Sequence, residues 1–367
     1  MTPLERYFDN ASTSPLDPRV LEAMLPFLRD ECGNAHSIHQ LGLRARAAVE
    51  RAREQVAKLI GAEDPAEIAF TSGATESNNW VLRSFPDAAV SPFEHASIRV
   101  PGSVLGAEIL PHNGLEVAPP GGFRWPDGRT SRTLVSLMRV NNEIGTVWDP
   151  SVWRGHADLL HSDLTQAAGK IPVDVQALDL DFGSLSAHKL YGPKGIGALY
   201  MRGMHPIDPL LLGGDQENGL RGGTLNVPAI VGMGEAARLA ADEQAKDLEE
   251  TERLRQITLE SIGDLADFRT NGGRSATPFI LSLSFLGIEG ETLVLYLDHN
   301  GFCVSSGAAC SSRSHEPSAV LAAIEPDDAW RRGTIRISFG RHNTPDAARS
   351  LGLNIRQGVE TLRKLKV

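Results

Sequence analysis

Three stretches of the sequence carry side chains whose types and spacing suit one kind of chemistry. Lys189 stands in Ser184–Gly197, SLSAHKLYGPKGIG, just after an apolar run and between Ser186, His188 and a Gly/Pro-rich turn. An isolated lysine is nearly always solvated. A lysine in a pocket that lowers its pKa condenses with an aldehyde instead. Upstream, in Asp158–Pro172, DLLHSDLTQAAGKIP, Asp163 closes a strand-like run and Gln166 follows three residues later. A carboxylate there would keep a pyridine nitrogen protonated and make the ring an electron sink, while the amide would hydrogen-bond a phenolic oxygen. The plainer reading is an Asp that caps a helix beginning near Leu164. Phe70–Asn79, FTSGATESNN, reads as strand, Gly-containing turn and helix, with Thr75 in the first turn. That arrangement aims backbone N–H groups at a phosphate, although alone it is more often an ordinary helix start. Phosphate turn, ring-nitrogen Asp and lysine, in that order, converge on pyridoxal 5'-phosphate.

The elements that must position these residues alternate along the chain. Ala45–Ile60 places Ala48, Val49, Ala52, Val56, Leu59 and Ile60 on one face of a helix with charges behind them. Glu67–Thr71, Thr133–Met138, Leu178–Ser184 and Gly197–Met201 are short apolar runs that read as buried strands. Helical stretches stand between some of them, which predicts an α/β fold with a mainly parallel sheet covered on both faces. A long charged helical stretch occupies Ala236–Ile262. After it the texture changes to alternating strands, Phe279–Phe285 and Thr334–Phe339, with helices among them. These changes predict a large domain over 13–247 and a smaller α+β domain from 1–12 and 248–367. Ala118–Gly128 is a Pro/Gly loop.

The 367 residues suffice for about two domains. With 41% hydrophobic and 22% charged residues, the chain is neither disordered, collagen-like nor a disulfide scaffold. A net charge of −10 argues against a nucleic-acid groove, which needs clustered Lys and Arg. No apolar run approaches the ~18 residues that span a bilayer. The start, MTPLERYFDNAST, has charges where a signal peptide needs its apolar stretch. The three cysteines, Cys32, Cys303 and Cys310, form no CxxC and leave one unpaired, as in a reducing compartment. A cytoplasmic enzyme without a metal site is expected.

Beyond these residues, the sequence resembles the cysteine desulfurases of the NifS/IscS type, in the class V aminotransferase group of fold-type I pyridoxal phosphate enzymes. The resemblance runs from Tyr7–Thr13 to Ile335–Phe339 through TSGATESNN, EHAS, VNNEIGTV, HSDLTQAAGKIP, SAHKLYGPKGIGALY, GLRGGTLNVP, SSGAACSS and IRISFGR. It implies that Lys189 holds the cofactor, Asp163 pairs with the pyridinium nitrogen and Gln166 with the ring oxygen. His95 would stack on the ring and handle protons. Ala74, Thr75, Ser186 and His188 would bind the phosphate. Thr224 would reach the phosphate of a neighbouring subunit, which implies a homodimer. Asn142 and Arg336 would hold the substrate carboxylate, Arg336 by a bidentate pair.

The resemblance also makes Cys310, in VSSGAACSS, a nucleophile that takes sulfur from L-cysteine as a persulfide and passes it to an acceptor or scaffold protein. Viewed alone, a cysteine is by default buried and inert. The Ser, Gly and Ala around Cys310 pack poorly, however, and suggest a mobile loop over about 304–316, with Arg313 and His315 near enough in sequence to favour the thiolate. Cys303 reads as core, and Cys32 receives no role. Two other readings stand beside the desulfurase. A pyridoxal phosphate lyase or transaminase would keep Lys189 and Asp163 without needing Cys310. A non-catalytic sulfur-relay subunit would need neither, so intact Lys189 and Asp163 argue against it. Selenocysteine lyase chemistry would use the same ring. The sulfur's destination, iron–sulfur clusters or a thiolation pathway, is not written in the chain.

Overall fold

The structure is a computed structural model describing residues 3–117, 124–129, 131–205, 207–306 and 318–365. Within it the first apolar runs become β1 (Ile68–Thr71), β2 (Ala88–Val90), β3 (Glu108–Ile109), β4 (Leu134–Ser136), β5 (Leu159–Asp163), β6 (Phe182–Ser186) and β7 (Gly197–Met201). They form one sheet in the order β1-β7-β6-β5-β4-β2-β3. β7 alone runs opposite to the other six strands.

Successive residues of these strands enter different cores, as a sheet buried on both faces requires. Phe70, Val135 and Leu160 join one apolar cluster, while Ala69, Leu134 and Leu159 join another. Five helices cover the two faces: α1 (Pro18–Arg29), α2 (Gln40–Ile60), α3 (Ala74–Ser84), α4 (Ala96–Leu105) and α5 (Val227–Ile262). The first, second and fifth add Val20, Val49 and Ile230 to the first cluster; α3 and α4 add Trp80 and Ile98 to the second. The predicted α/β class with a mainly parallel sheet holds.

Two boundaries differ from the sequence reading. β6 begins at Phe182, not at Leu178, because Asp179 takes a left-handed backbone (φ 51°) and the Asp181 carboxylate turns back to accept from Leu160 N at 2.8 Å. α5 begins nine residues before Ala236, where Asn226 caps it by accepting from Ala229 N and Pro228 occupies the first turn.

A second sheet, in the order β10-β11-β9-β8, is antiparallel throughout: β8 (Phe268–Thr270), β9 (Ile280–Phe285), β10 (Ser305–Ser306) and β11 (Thr334–Ser338). With it come α6 (Gly290–His299), α7 (Ala319–Ile324), α8 (Asp328–Arg332) and α9 (Pro345–Leu365). Its core gathers Leu283, Phe285, Ile335, Ile337 and Ile355 together with Phe8 from the N-terminal segment. That segment is threaded into the sheet: Tyr7 bridges to Cys303 and Asp9 to Ser338. The single helix α5 serves both cores, with Ile230 and Met233 in the first and Leu254 and Ile262 in the second, and residue 247 lies inside it.

Candidate active site

The parallel strands end on one edge, and the predicted residues stand there. Ala74 and Thr75 follow β1, His95 follows β2, Asn142 follows β4, Asp163 ends β5, and Ser186, His188 and Lys189 close β6 and the short 3-10 turn after it. With Gln166 and Arg336 they line one cavity of about 610 Å³, in the place where open α/β sheets bind ligands. Thr224 is exposed and lies outside the cavity lining. Cys310 and most of the 304–316 segment lie outside the described residues. Cys32 is exposed, and Cys303, read as core, is only half-buried where it bridges to Tyr7.

Backbone approach shapes the phosphate-type turn. α3 starts at Gly73 without a side-chain cap, and Gly73 has φ 153°. A Cβ on Gly197 of β7 would sit 2.4 Å from the Leu185 carbonyl oxygen and 2.6 Å from the Gly73 Cα. The turn therefore rests on β7 main chain to main chain.

Asp163 is 4% exposed, and both its oxygens are held. Oδ1 accepts from Thr165 N at 2.9 Å and Oδ2 from Asn78 Nδ2 at 2.9 Å. The backbone after it is a turn, so the helix near Leu164 does not form, although the carboxylate does accept the N–H a cap would. Asn78 Nδ2 also donates to Ser97 Oγ at 2.8 Å, and Ser97 Oγ lies 2.8 Å from His95 Nδ1. Burial pushes the His95 pKa down, against the pull of Asp163. Glu94 is wholly buried; burial and then Asp163 hold its pKa far above the usual carboxylate range.

Lys189 Nζ donates to the carbonyls of Ala11 and Ser12, both at 2.6 Å. The Ala11 carbonyl also accepts from Gln166 Nε2 at 2.8 Å, and Lys170 Nζ donates to Gln166 Oε1 at 2.6 Å. The Ala11 carbonyl can only accept, which turns the Gln166 N–H toward it and the amide oxygen toward Lys170. His188 is 3.1 Å from Thr13 Oγ1; burial first, and the nearby lysines next, lower its pKa to about 4. Arg336 is buried, with Nη1 on the Asn142 carbonyl at 2.8 Å and Nη2 on Asp9 Oδ1 at 2.8 Å and Ser12 Oγ at 2.6 Å. Its Nε is buried and has no partner among the described residues.

Asn78, Ser97, Lys170, Asp9 and Ser12 were not singled out by the sequence reading. Asn78 meets Ser97 and Asp163, and Asp9 and Ser12 meet Arg336, across 19 or more residues of chain, where no local periodicity reports contact. Lys170 stands four residues from Gln166 and Ser97 two from His95, local spacings that offered a signal.

These residues fit pyridoxal phosphate. An uncapped helix start lines the cavity beside Ser186 and His188. The Thr165 hydroxyl at the cavity is buried and has no partner among the described residues. The deep Asp163 carboxylate has only neutral donors on its oxygens among the contacts of the described residues. Fold and site together define a fold-type I enzyme of the pyridoxal phosphate class. The chain belongs to the aminotransferase class-V family, whose sequence pattern matches residues 6–351. It is 41% identical over 366 residues to "Cysteine desulfurase IscS" of Dictyoglomus turgidum, covering 93% of this chain and 91% of that one. Among solved structures, one described as a NifS-like protein superposes with a TM-score of 0.87 at 34% identity, covering 97% of this chain and all of that one. Another, SspA in complex with cysteine, gives a TM-score of 0.78 at 32% identity over 92% of this chain and 100% of that one. The NifS/IscS resemblance read from the motifs is borne out.

Proposed function

We propose that this chain is a cysteine desulfurase that moves the sulfur of L-cysteine onto Cys310 and releases L-alanine. The observation that carries the reading is the meeting of Lys189, Asp163, His95, Asn142 and Arg336, drawn from both sheets, in one cavity. Pyridoxal phosphate, when bound there, supplies an electron sink for charge developing at the substrate Cα.

The chain's own residues do the rest. Ala74, Thr75, Ser186 and His188 hold the phosphate, and Thr224 reaches that of the second copy in a homodimer. Asp163 keeps the pyridine nitrogen protonated, and Gln166, oriented by Lys170 and Ala11, donates to the ring oxygen. Arg336 and Asn142 hold the substrate carboxylate, for which the unpartnered Nε of Arg336 is a waiting donor. Lys189 Nζ would hold the cofactor and would take the substrate Cα proton. His95 hydrogen-bonds the reacting sulfur. Cys310, as thiolate, attacks that sulfur; the cysteine C–S bond breaks, an S–S bond forms, and Cβ gains a proton. L-cysteine and the Cys310 thiol thus become L-alanine and the Cys310 persulfide. The persulfide passes to an acceptor protein of an iron–sulfur or thiolation pathway in the cytoplasm. No helix among the described residues is long and apolar enough to cross a membrane. In this reading 13–247 forms the cofactor-binding domain, and 1–12 with 248–367 the domain that presents Cys310.

The test is mass spectrometry of the loaded enzyme after adding L-cysteine without reductant, with alanine assayed in parallel. One extra sulfur on the Cys310 peptide, with both signals much reduced in Cys310→Ser, is expected. Alanine forming equally well in Cys310→Ser would replace this mechanism with that of a general lyase.

A further inference from the structure

The guanidinium that would hold the substrate carboxylate already has an anion beside it. Arg336 stands on β11, and its side chain is 3% exposed. Two residues along the same strand, Ser338 bridges to Asp9 of the N-terminal segment. That pairing brings the Asp9 carboxylate to the arginine, where Oδ1 accepts from Nη2 at 2.8 Å. The same nitrogen donates to Ser12 Oγ at 2.6 Å, and the Ser12 hydroxyl donates to Asp9 Oδ1 at 2.9 Å. The main chain fixes Asp9 as well, because its carbonyl accepts from Tyr7 OH and from Ser12 N, both at 3.1 Å. Ser12 and Arg336 line the cavity and Asp9 does not. A substrate carboxylate therefore meets the guanidinium without pushing Asp9 aside.

A planar guanidinium offers a carboxylate two edges for a two-point pair, Nε with Nη2 and Nη1 with Nη2. Both include Nη2, the nitrogen already on Asp9. An arriving carboxylate thus shares its arginine with a resident one, and the two anions repel where little water screens them. The other charged groups nearby do not stand in for Asp9. Burial pushes Glu143 toward its neutral form, and Lys170 is a cation that Arg336 repels.

We propose that Asp9 is the resident counter-ion of Arg336, a positioning residue that aims the guanidinium and offsets its charge, so that an amino-acid carboxylate is held weakly enough for the product to leave. This rests on the desulfurase reading for the identity of that product, L-alanine. The burial of Arg336 is then compensated whether or not the cavity is filled.

Asp9→Asn tests it, because Oδ1 makes both side-chain contacts and asparagine keeps that oxygen while losing the charge. The probes are L-alanine and ethylamine, the same amine with and without a carboxylate. Each is titrated against the absorbance of the bound cofactor in the loaded enzyme and referred to its unprotonated form. Half-saturation by L-alanine should fall about fivefold or more in Asp9→Asn, while ethylamine moves less than about twofold. An equal change for both amines is what a purely structural role would give, and it would overturn the proposal. Weaker binding of L-alanine alone would do the same. Should the variant not fold, the wild type still decides. Its carboxylate should improve half-saturation over ethylamine by less than about thirtyfold, below what an uncompensated buried ion pair gives, and a larger gain would overturn the proposal. Neither amine carries sulfur. A chain that places no sulfur on Cys310 would therefore sink the desulfurase reading while these titrations still decide the role of Asp9.

Discussion

Lys170 is a lysine almost wholly withdrawn from water, with Gln166 as its hydrogen-bond partner and two cations, Lys189 and Arg336, close enough to repel it. Burial first, and those charges next, lower its pKa from 10.5 to about 7. A folded-state value below the unfolded one means that the unfolded chain binds the extra proton between those limits. The resulting penalty is therefore full below about pH 7 and fades as pH climbs toward 10.5, with an upper limit on the order of 5 kcal/mol. Lys170→Met should raise the melting temperature of the loaded enzyme at pH 6 and leave it nearly unchanged, or lower it, at pH 9.5. Equal shifts at both pH values would mean that Lys170 titrates like a solvated lysine. Methionine also frees the Gln166 amide to turn, so the absorbance of the bound cofactor should change at both pH values.

Among the elements, the contact of β7 with the turn after β1 is the most exacting. A methyl group on Gly197 has nowhere to go, because what it meets is the Leu185 carbonyl and the Gly73 backbone, not the end of a flexible side chain. Gly197→Ala should cost about 1–3 kcal/mol in stability and, by pushing the turn outward, weaken cofactor retention more than it lowers the melting temperature. Dialysis followed by absorbance of the retained cofactor measures the second effect; full retention would show that the turn yields without consequence. The sequence displayed this arrangement only in part. Strand, Gly turn and helix were legible in FTSGATESNN, as were the ends of β5 and β6 in the Asp163 and Lys189 motifs, because strand and turn chemistry is local. The early start of α5 was partly legible in Asn226 and Pro228, but a charged run beginning at Ala236 outweighed them. The left-handed Asp179 that delays β6 had no such signature, since its conformation answers to Asp181 and to a neighbouring strand. The contacts of Asn78 with Asp163 and of Gln166 with Ala11 were invisible for the same reason.

At the scale of the molecule, the helices of the first sheet meet the second sheet at Arg341. Its guanidinium contacts Asp247 at 2.7 Å, Glu243 at 3.1 Å and Asp17 at 3.5 Å, and lies 4.5 Å from the Tyr191 ring centre. Those carboxylates come from α5 and from the cap of α1, so one side chain ties three parts of the chain together. Arg341→Met would take the cation from Asp247, while Arg19 still pairs with Asp17 and Glu243, and should cost about 1–3 kcal/mol, read as a lower urea midpoint. An unchanged midpoint would show that the sheets are held together without it. The threading of the N-terminal segment has a different consequence. Tyr7 and Asp9 lie beside Cys303 and Ser338, and the carbonyls of Ala11 and Ser12 hold Lys189. This segment leaves the ribosome well before it can find its place, since its partners are made some 300 residues later. While the chain is being synthesised, the lysine pocket is assembled without its roof, and it closes only once β11 has emerged.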